Sequence, residues 1–240
     1  MTISARLRPA ALLVGATLLL LPALAAPASA TAVLAGTCKE GPKAGLLTYT
    51  AEPGIANELT ITQNGTTLLL EDAAGQVAGC NTLGDAAEAG PATVIRVLLG
   101  DESDAVAVNV LPQGQKLTVF GGEGDDDLLG SVNADDLRGG LGDDSIRGIE
   151  GNDMLRGDAG DDDLRGGNEA DVLIGGGGDD DLSGGAGADE LNGGSGEDEL
   201  RGEAGTDELN GGGGPDELDG GAGTDVCNGG PGTDTATRCE

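Results

Sequence analysis

Glycine recurs every nine residues from Gly121 to Gly229, thirteen times without a miss. Aspartate follows five places after each of these glycines, as Asp126, Asp135, Asp144, Asp153, Asp162, Asp171, Asp180, Asp189, Asp198, Asp207, Asp216, Asp225 and Asp234. A phase held this strictly excludes an ordinary globular topology of unequal helices and strands. It requires a stack of near-identical units, each covering the apolar face of the next. Twelve complete blocks run from GGEGDDDLL at Gly121 to GGAGTDVCN at Asn228, and a thirteenth opens at Gly229, so the repeat region spans 121–234.

Each block reads as a turn of six, Gly-Gly-x-Gly-x-Asp, followed by a strand of three, x-Leu-x. Glycine at positions one, two and four permits the positive φ and close backbone approach of a tight turn. Position eight is Leu or Ile from Leu128 to Leu218 and Cys227 in the twelfth block, whereas positions seven and nine are mostly polar or charged. A strand with that pattern points one side chain in and two out. Two blocks therefore close one coil of a flattened helix, and the coils stack as two parallel sheets across a thin leucine core. The expected fold is all-β, a parallel β-roll (a β-solenoid) preceded by a small β-rich domain.

One buried leucine per nine residues is little apolar area against the entropy of ordering a glycine-rich backbone. The aspartates add repulsion, because turns on one edge are two blocks apart and Asp126 falls near Asp144, while Asp135 and Asp153 line the other edge. A cation between coils resolves both problems. Two carboxylates and the carbonyls of two glycine turns offer about six hard oxygens, which suits calcium; magnesium demands a stricter octahedron and zinc wants nitrogen or sulfur. Thirteen turns paired two apart give at most eleven sites.

The GGxGxDxLx series resembles the repeats-in-toxin (RTX) family, whose nonapeptides form a calcium-bound parallel β-roll. That resemblance implies that the thirteen sixth-position aspartates and turn carbonyls are the ligands, and that the protein is a secreted calcium-binding one. Some blocks depart from the pattern. Ser131, Ile149, Asp158 and Glu203 replace the second glycine, and Asn133 and Glu169 replace the fourth. Asparagine adopts the left-handed conformation readily whereas Glu169 pays a steric penalty. The turns at Asp135 and Asp171 are therefore expected to bind less tightly.

The charge is −31 overall, and residues 121–240 carry 33 acids against six arginines. This balance repels nucleic acid and anionic membranes. Low hydrophobicity with high charge often marks disorder, but the fixed phase of aspartate and leucine argues for a fold once calcium is bound. Asp179, Asp181, Ser183, Gly184 and Glu190 fall at EF-hand spacing, yet glycines recur on both sides where helices would have to flank the loop. Arg138, Arg147, Arg156, Arg165 and Arg201 at position nine are expected to lie beside seventh-position acids such as Asp136 and Asp163. The chain has no histidine, which removes the Ser-His-Asp triad, the HExxH metalloprotease site and an imidazole base. No enzymatic activity is expected.

Residues 1–30 read as an export signal, with Arg6 and Arg8, an apolar run from Ala10 to Leu21 and an Ala28-Ser29-Ala30 cleavage pattern. The alternative is a retained membrane anchor, but the apolar run is shorter than the roughly 20 residues a helix needs to cross, and no membrane span is expected after cleavage. Residues 31–120 hold six strand-like runs at 46–50, 59–63, 66–71, 94–99, 105–110 and 116–120, with Asn64-Gly65 as a hairpin turn between the second and third. LGDESDAVA (99–107) reads as a worn nonapeptide with Asp104 in the aspartate phase. The four cysteines fall into two local pairs, Cys38 with Cys80 and Cys227 with Cys239, one of three connectivities they allow. A Cys227–Cys239 bridge would fold residues 235–240 over the end of the stack as a cap, the alternative being two free buried thiols. Two functions fit: a secreted or cell-surface structural module folded by calcium, or an adhesin-like recognition module whose 31–120 region binds a protein or glycan while the roll acts as a stiff spacer.

Overall fold

The computed structural model describes residues 2–4, 36–40, 46–51, 58–64, 67–72, 75–76, 94–111 and 114–240. The expected leader, apart from Thr2–Ser4, and Gly65 and Cys80 lie outside the described residues. Among the described residues there is no helix. An eleven-stranded sheet and a twelve-stranded sheet carry the chain, and successive strands alternate between them through the repeats.

The register follows the block phase. Leu137, Leu155, Leu173, Leu191, Leu209 and Cys227 stand opposite one another in one sheet. Leu128, Ile146, Leu164, Leu182, Leu200 and Leu218 do so in the other. These residues form one continuous apolar core, with Cys227 packed at its end.

The strands are longer than the expected three residues. Asp136–Leu141 and Met154–Ala159 are typical, taking positions seven to nine of one block and one to three of the next. Leucine at eight and glycine at one both face inward along such a strand. Because the inward glycine has no side chain, the neighbouring coil approaches closely enough for pairing to run on past the leucine.

Pairing also extends beyond both ends of the counted repeats. Thr235–Thr237 lies parallel to Glu217–Asp219, with Ala236 opposite Leu218, so the thirteenth block completes a strand inside what the sequence suggests is a cap. Ala236 takes the register position of the leucine column but is exposed, and the flanking threonines favour extended backbone. The remaining tail is held by the Cys227–Cys239 disulfide, Cα–Cα 5.8 Å, and by Glu240 N–H donating to Asp225 O at 2.8 Å.

At the other end, Val94–Gly100 pairs in parallel with Lys116–Glu123, and Ala105–Val110 with Asp127–Leu129. This earlier coil belongs to the same two sheets and buries Ile95, Val97, Leu99, Val106 and Val119. Leu46–Ala51 and Glu58–Asn64 extend the two sheets by one more parallel strand each. Antiparallel strands finish the sheets, including Glu58–Asn64 with Thr67–Asp72, where Asn64 stands opposite Thr67.

Outer-face ion pairs depart in part from the expected pattern. Arg165 does pair with Asp163 at 2.9 Å, and Arg201 with Asp181 at 2.7 Å and with Glu199. Arg138 turns instead to Asp158, the second-position residue of a later block, and Lys116 approaches Asp136 at 3.7 Å. Exposed pairs of this kind contribute about 0–1 kcal/mol each.

Stability therefore rests on the leucine column. Leu173→Ala, at a fully buried site in mid-stack, should cost about 2–5 kcal/mol. Val132→Ala, at a residue 51% exposed, should stay within about 0.5 kcal/mol. Thermal melts in saturating calcium compare the two, and equal midpoints would contradict the core assignment.

Candidate metal centre

The thirteen aspartates form two ladders, one along each edge. Asp126, Asp144, Asp162, Asp180, Asp198, Asp216 and Asp234 lie on the first; Asp135, Asp153, Asp171, Asp189, Asp207 and Asp225 lie on the second. All but Asp234 are 3% exposed or less, and Asp234 is half-buried.

Every rung has the same hydrogen bond. The aspartate Oδ1 reaches back one coil and accepts a backbone N–H there: Asp126 N–H donates to Asp144 Oδ1 at 2.8 Å, Asp153 N–H to Asp171 Oδ1 at 2.8 Å, and Asp216 N–H to Asp234 Oδ1 at 3.2 Å. Each carboxylate therefore lies in the gap between its own turn and the turn before it.

The second oxygen is different. In eleven of the thirteen, Oδ2 is buried with no hydrogen-bond partner. A buried, unsatisfied carboxylate oxygen is costly in the protein alone. At Asp135 it is satisfied, because the backbone N–H and the hydroxyl of Ser131 both donate to Oδ2 at 2.7 Å.

Backbone carbonyls of one turn also lie close to the glycines of the turn one coil later. A Cβ built on Gly140 would stand 2.1 Å from Gly122 O, and one on Gly142 2.4 Å from Gly124 O. On the other edge the matching distance from Gly187 to Glu169 O is 1.9 Å. Among the described residues no three Asp, Glu, His or Cys side chains come together to hold an ion by themselves. Main-chain carbonyls must supply the rest, and carboxylate with carbonyl is a donor set that suits calcium.

Position one shows why its glycine never varies. A Cβ on Gly139 or Gly157 would stand 1.9 Å from Oδ2 of the aspartate in the same block. At Gly130, where Ser131 draws the carboxylate away, the distance opens to 3.1 Å.

Position two keeps a positive φ even without glycine, at 93° for Ile149, 83° for Asp158 and 71° for Glu203. Ser131 is the departure, with no positive φ. Asn133 does not take the left-handed conformation its residue type allows, and its side chain instead accepts Gly114 N–H at 2.9 Å. Glu169 does take it, at a φ of 71°.

Residues 129–164, 138–173, 165–200, 174–209 and 201–236 each match a model of the RTX calcium-binding nonapeptide repeat, four copies at a time. Residues 129–236 are an RTX calcium-binding repeat region. No curated protein matches the chain. The RTX repeats and the unsatisfied carboxylate oxygens thus coincide in the same stretch of chain.

Two features of the RTX roll lie outside the counted phase. Asp104 starts the first ladder, 3% exposed, with its N–H donating to Asp126 Oδ1 at 2.8 Å. Sequence places it in the aspartate phase of a worn block, but that coil is longer than eighteen residues and the period alone does not connect it to Asp126. The second feature is an outer acid column on the same edge. Asp125, Asp143, Asp161 and Asp179 each accept the N–H of the fifth-position residue one coil later, at 2.7–3.0 Å. On the opposite edge those places hold Ala134, Asn152, Ala170, Ala188 and Thr206, so the RTX roll carries its surface acids unequally. The EF-hand-like spacing from Asp179 to Glu190 runs across this ladder without flanking helices.

Burial governs the protonation of the ladder. It pushes Asp126, Asp162, Asp171 and Asp180 up to about 7, Asp144 and Asp189 to about 6, and Asp153 to about 8, against the opposing backbone hydrogen bonds. The folded metal-free roll then binds more protons than the unfolded chain between 3.8 and about 8. Its stability is greatest at acid pH and falls as pH rises through that window. Circular dichroism in EGTA should show β-structure decreasing from pH 4 to pH 8, and the reverse trend would contradict the burial of the carboxylates.

A second expectation concerns position one. Gly157→Ala should weaken calcium binding although Asp162 remains, because the new methyl occupies the place of its Oδ2. Gly213→Ala, whose Cβ meets nothing nearer than 4.0 Å, should leave calcium titration by calorimetry unchanged.

Proposed function

We propose that the chain is a secreted calcium-binding structural or cell-surface module whose repeat region folds when calcium is bound. The observation that carries this reading is the series of buried Oδ2 atoms with no protein partner, repeated on both edges. In the unloaded state these carboxylates repel across each gap and the leucine column is thin. In the loaded state each ion replaces repulsion with attraction and joins two coils. Mass action stabilises the fold by RT ln(1 + [Ca]/Kd) per site, so the roll is unfolded where calcium is scarce and folded where it is abundant.

The ligands in this reading are the sixth-position aspartates with the turn carbonyls, in up to eleven gaps, each gap taking the carboxylate of its later turn. Asp126 and Asp135 reach ahead of the first gap on their edges. The site formed by the Asp135 and Asp153 turns is the weakest, since Asn133 replaces the glycine whose carbonyl faces the next turn. A Cβ on Gly151 stands 2.7 Å from Asn133 O, against 1.9 Å for the Gly187–Glu169 contact. Export fits both the apolar leader-like sequence at 1–30 and the RTX family's typical occurrence in secreted bacterial proteins.

The adhesin-like reading draws on a different observation. Leu46–Ala51 and Glu58–Asn64 pair directly into the sheets that continue as the roll, so a recognition surface there would be held on a stiff support. Binding of residues 31–120 to cells or glycans without the roll would favour it.

Calcium-dependent folding is the deciding measurement. Circular dichroism at neutral pH should pass from coil to β on adding calcium and return with EGTA. A spectrum indifferent to calcium would falsify the assignment.

A further inference from the structure

We propose that the turns Gly100–Asp104 and Gly122–Asp126 hold an additional divalent cation, one coil ahead of the repeats. The proposal rests on the reading of the ladder as a calcium site, and extends it to a sequence that does not keep the nine-residue pattern.

The gap repeats the geometry below it. Asp104 N–H donates to Asp126 Oδ1 at 2.8 Å, as Asp126 N–H does to Asp144 Oδ1 at 2.8 Å. Asp126 is 2% exposed and its Oδ2 has no partner. A Cβ on Gly122 would stand 1.9 Å from Gly100 O, where the next gap gives 2.1 Å from Gly140 to Gly122 O. Ser103 Oγ accepts Asp125 N–H at 3.1 Å, in the place where Asp125 accepts Asp143 N–H at 3.0 Å.

The departures explain why a repeat count passes over it. Val97 and Val106 are nine residues apart, but Val106 and Val119 are thirteen apart, so the extra residues lie in the connection before Lys116 and leave the turn intact. Leu99 stands where later turns begin with glycine, and Glu102 stands at the fourth position. The Glu102 carbonyl is 2.8 Å from a Cβ on Gly124, against 2.4 Å for Gly124 O and Gly142, which makes this a weaker site than those below.

The other edge shows how the chain closes a ladder without an ion. There Ser131 gives two donors to Asp135 Oδ2. Gly122, at the corresponding position, has no hydroxyl to offer Asp126. An ion is the partner this carboxylate lacks.

Native mass spectrometry of the full chain at graded free calcium tests the proposal, with Asp126→Asn and Asp180→Asn compared against wild type. Asp126→Asn should lose the ion that wild type takes up at the highest calcium, while the ions bound more tightly remain. Asp180→Asn should lose one of the tighter ions. An unchanged count in Asp126→Asn beside a reduced one in Asp180→Asn overturns the additional site alone. Failure of wild type to take up calcium at all overturns the underlying ladder reading. If Asp126→Asn does not fold, a lanthanide anomalous map of wild type decides the matter. A peak roughly 2.3–2.6 Å from Asp126 Oδ2 and Gly100 O supports the site. Peaks in the later gaps without one here overturn it.

Discussion

Like charges held one coil apart are the constraint around which the roll is built. Parallel strands bring successive coils to about 4.8 Å, and each coil adds an aspartate to an edge already lined with them. Water cannot screen these carboxylates, because they are buried. Half of each is neutralised in a local sense by a backbone N–H of the preceding coil, which fixes its orientation. The other half is left facing the gap. The orientation of each carboxylate is thus set by a hydrogen bond as much as by charge: Oδ1 is anchored, so Oδ2 has one place to point.

The glycines are the counterpart of that arrangement. Position one is open because the carboxylate passes over it, and position two turns the chain at positive φ. Their requirements differ in kind. A side chain at position one collides with the aspartate carboxylate itself, and all thirteen blocks keep glycine there. A side chain at position two meets a conformational cost that can be offset, and two of the three non-glycine residues with positive φ there recover a contact. Asp158 takes Arg138, and Glu203 accepts the hydroxyl of Ser183 at 2.6 Å. Ile149 has no such contact in the structure, and a β-branched residue at a φ of 93° is a strained one.

Much of this was legible in the sequence because a strict period converts directly into register. The leucine columns and the two ladders follow from counting, and the Cys227–Cys239 bridge, one of three connectivities open in the sequence, is the one formed. What counting misses depends on backbone direction and on side-chain donors. The strands run six residues because pairing skips the first-position glycine and resumes at positions two and three, as in Gly140 with Asp158 and Leu141 with Ala159, which a pattern of turn and strand residues does not reveal. Asp104 joins the first ladder across a coil of unequal length. Ser131 reads as a tolerated replacement for glycine, yet it changes what its aspartate can bind by supplying a hydroxyl and an N–H to Oδ2. The outer acid column is visible as residues but becomes a feature only when the edge on which each block falls is known.

The terminal disulfide has a mechanical consequence. Cys227 sits in a strand of one sheet and Cys239 follows the last strand of the other, so the bridge closes residues 227–239 into a covalent ring around the final coil. The coils between Asp127 and Asp219 have no such bridge and can be peeled from their neighbours one strand at a time. A pull on the carboxyl terminus is instead transmitted to Val226–Asn228 as well as to Thr235–Thr237, and must shear strands in both sheets together. The final coil is therefore protected against unravelling.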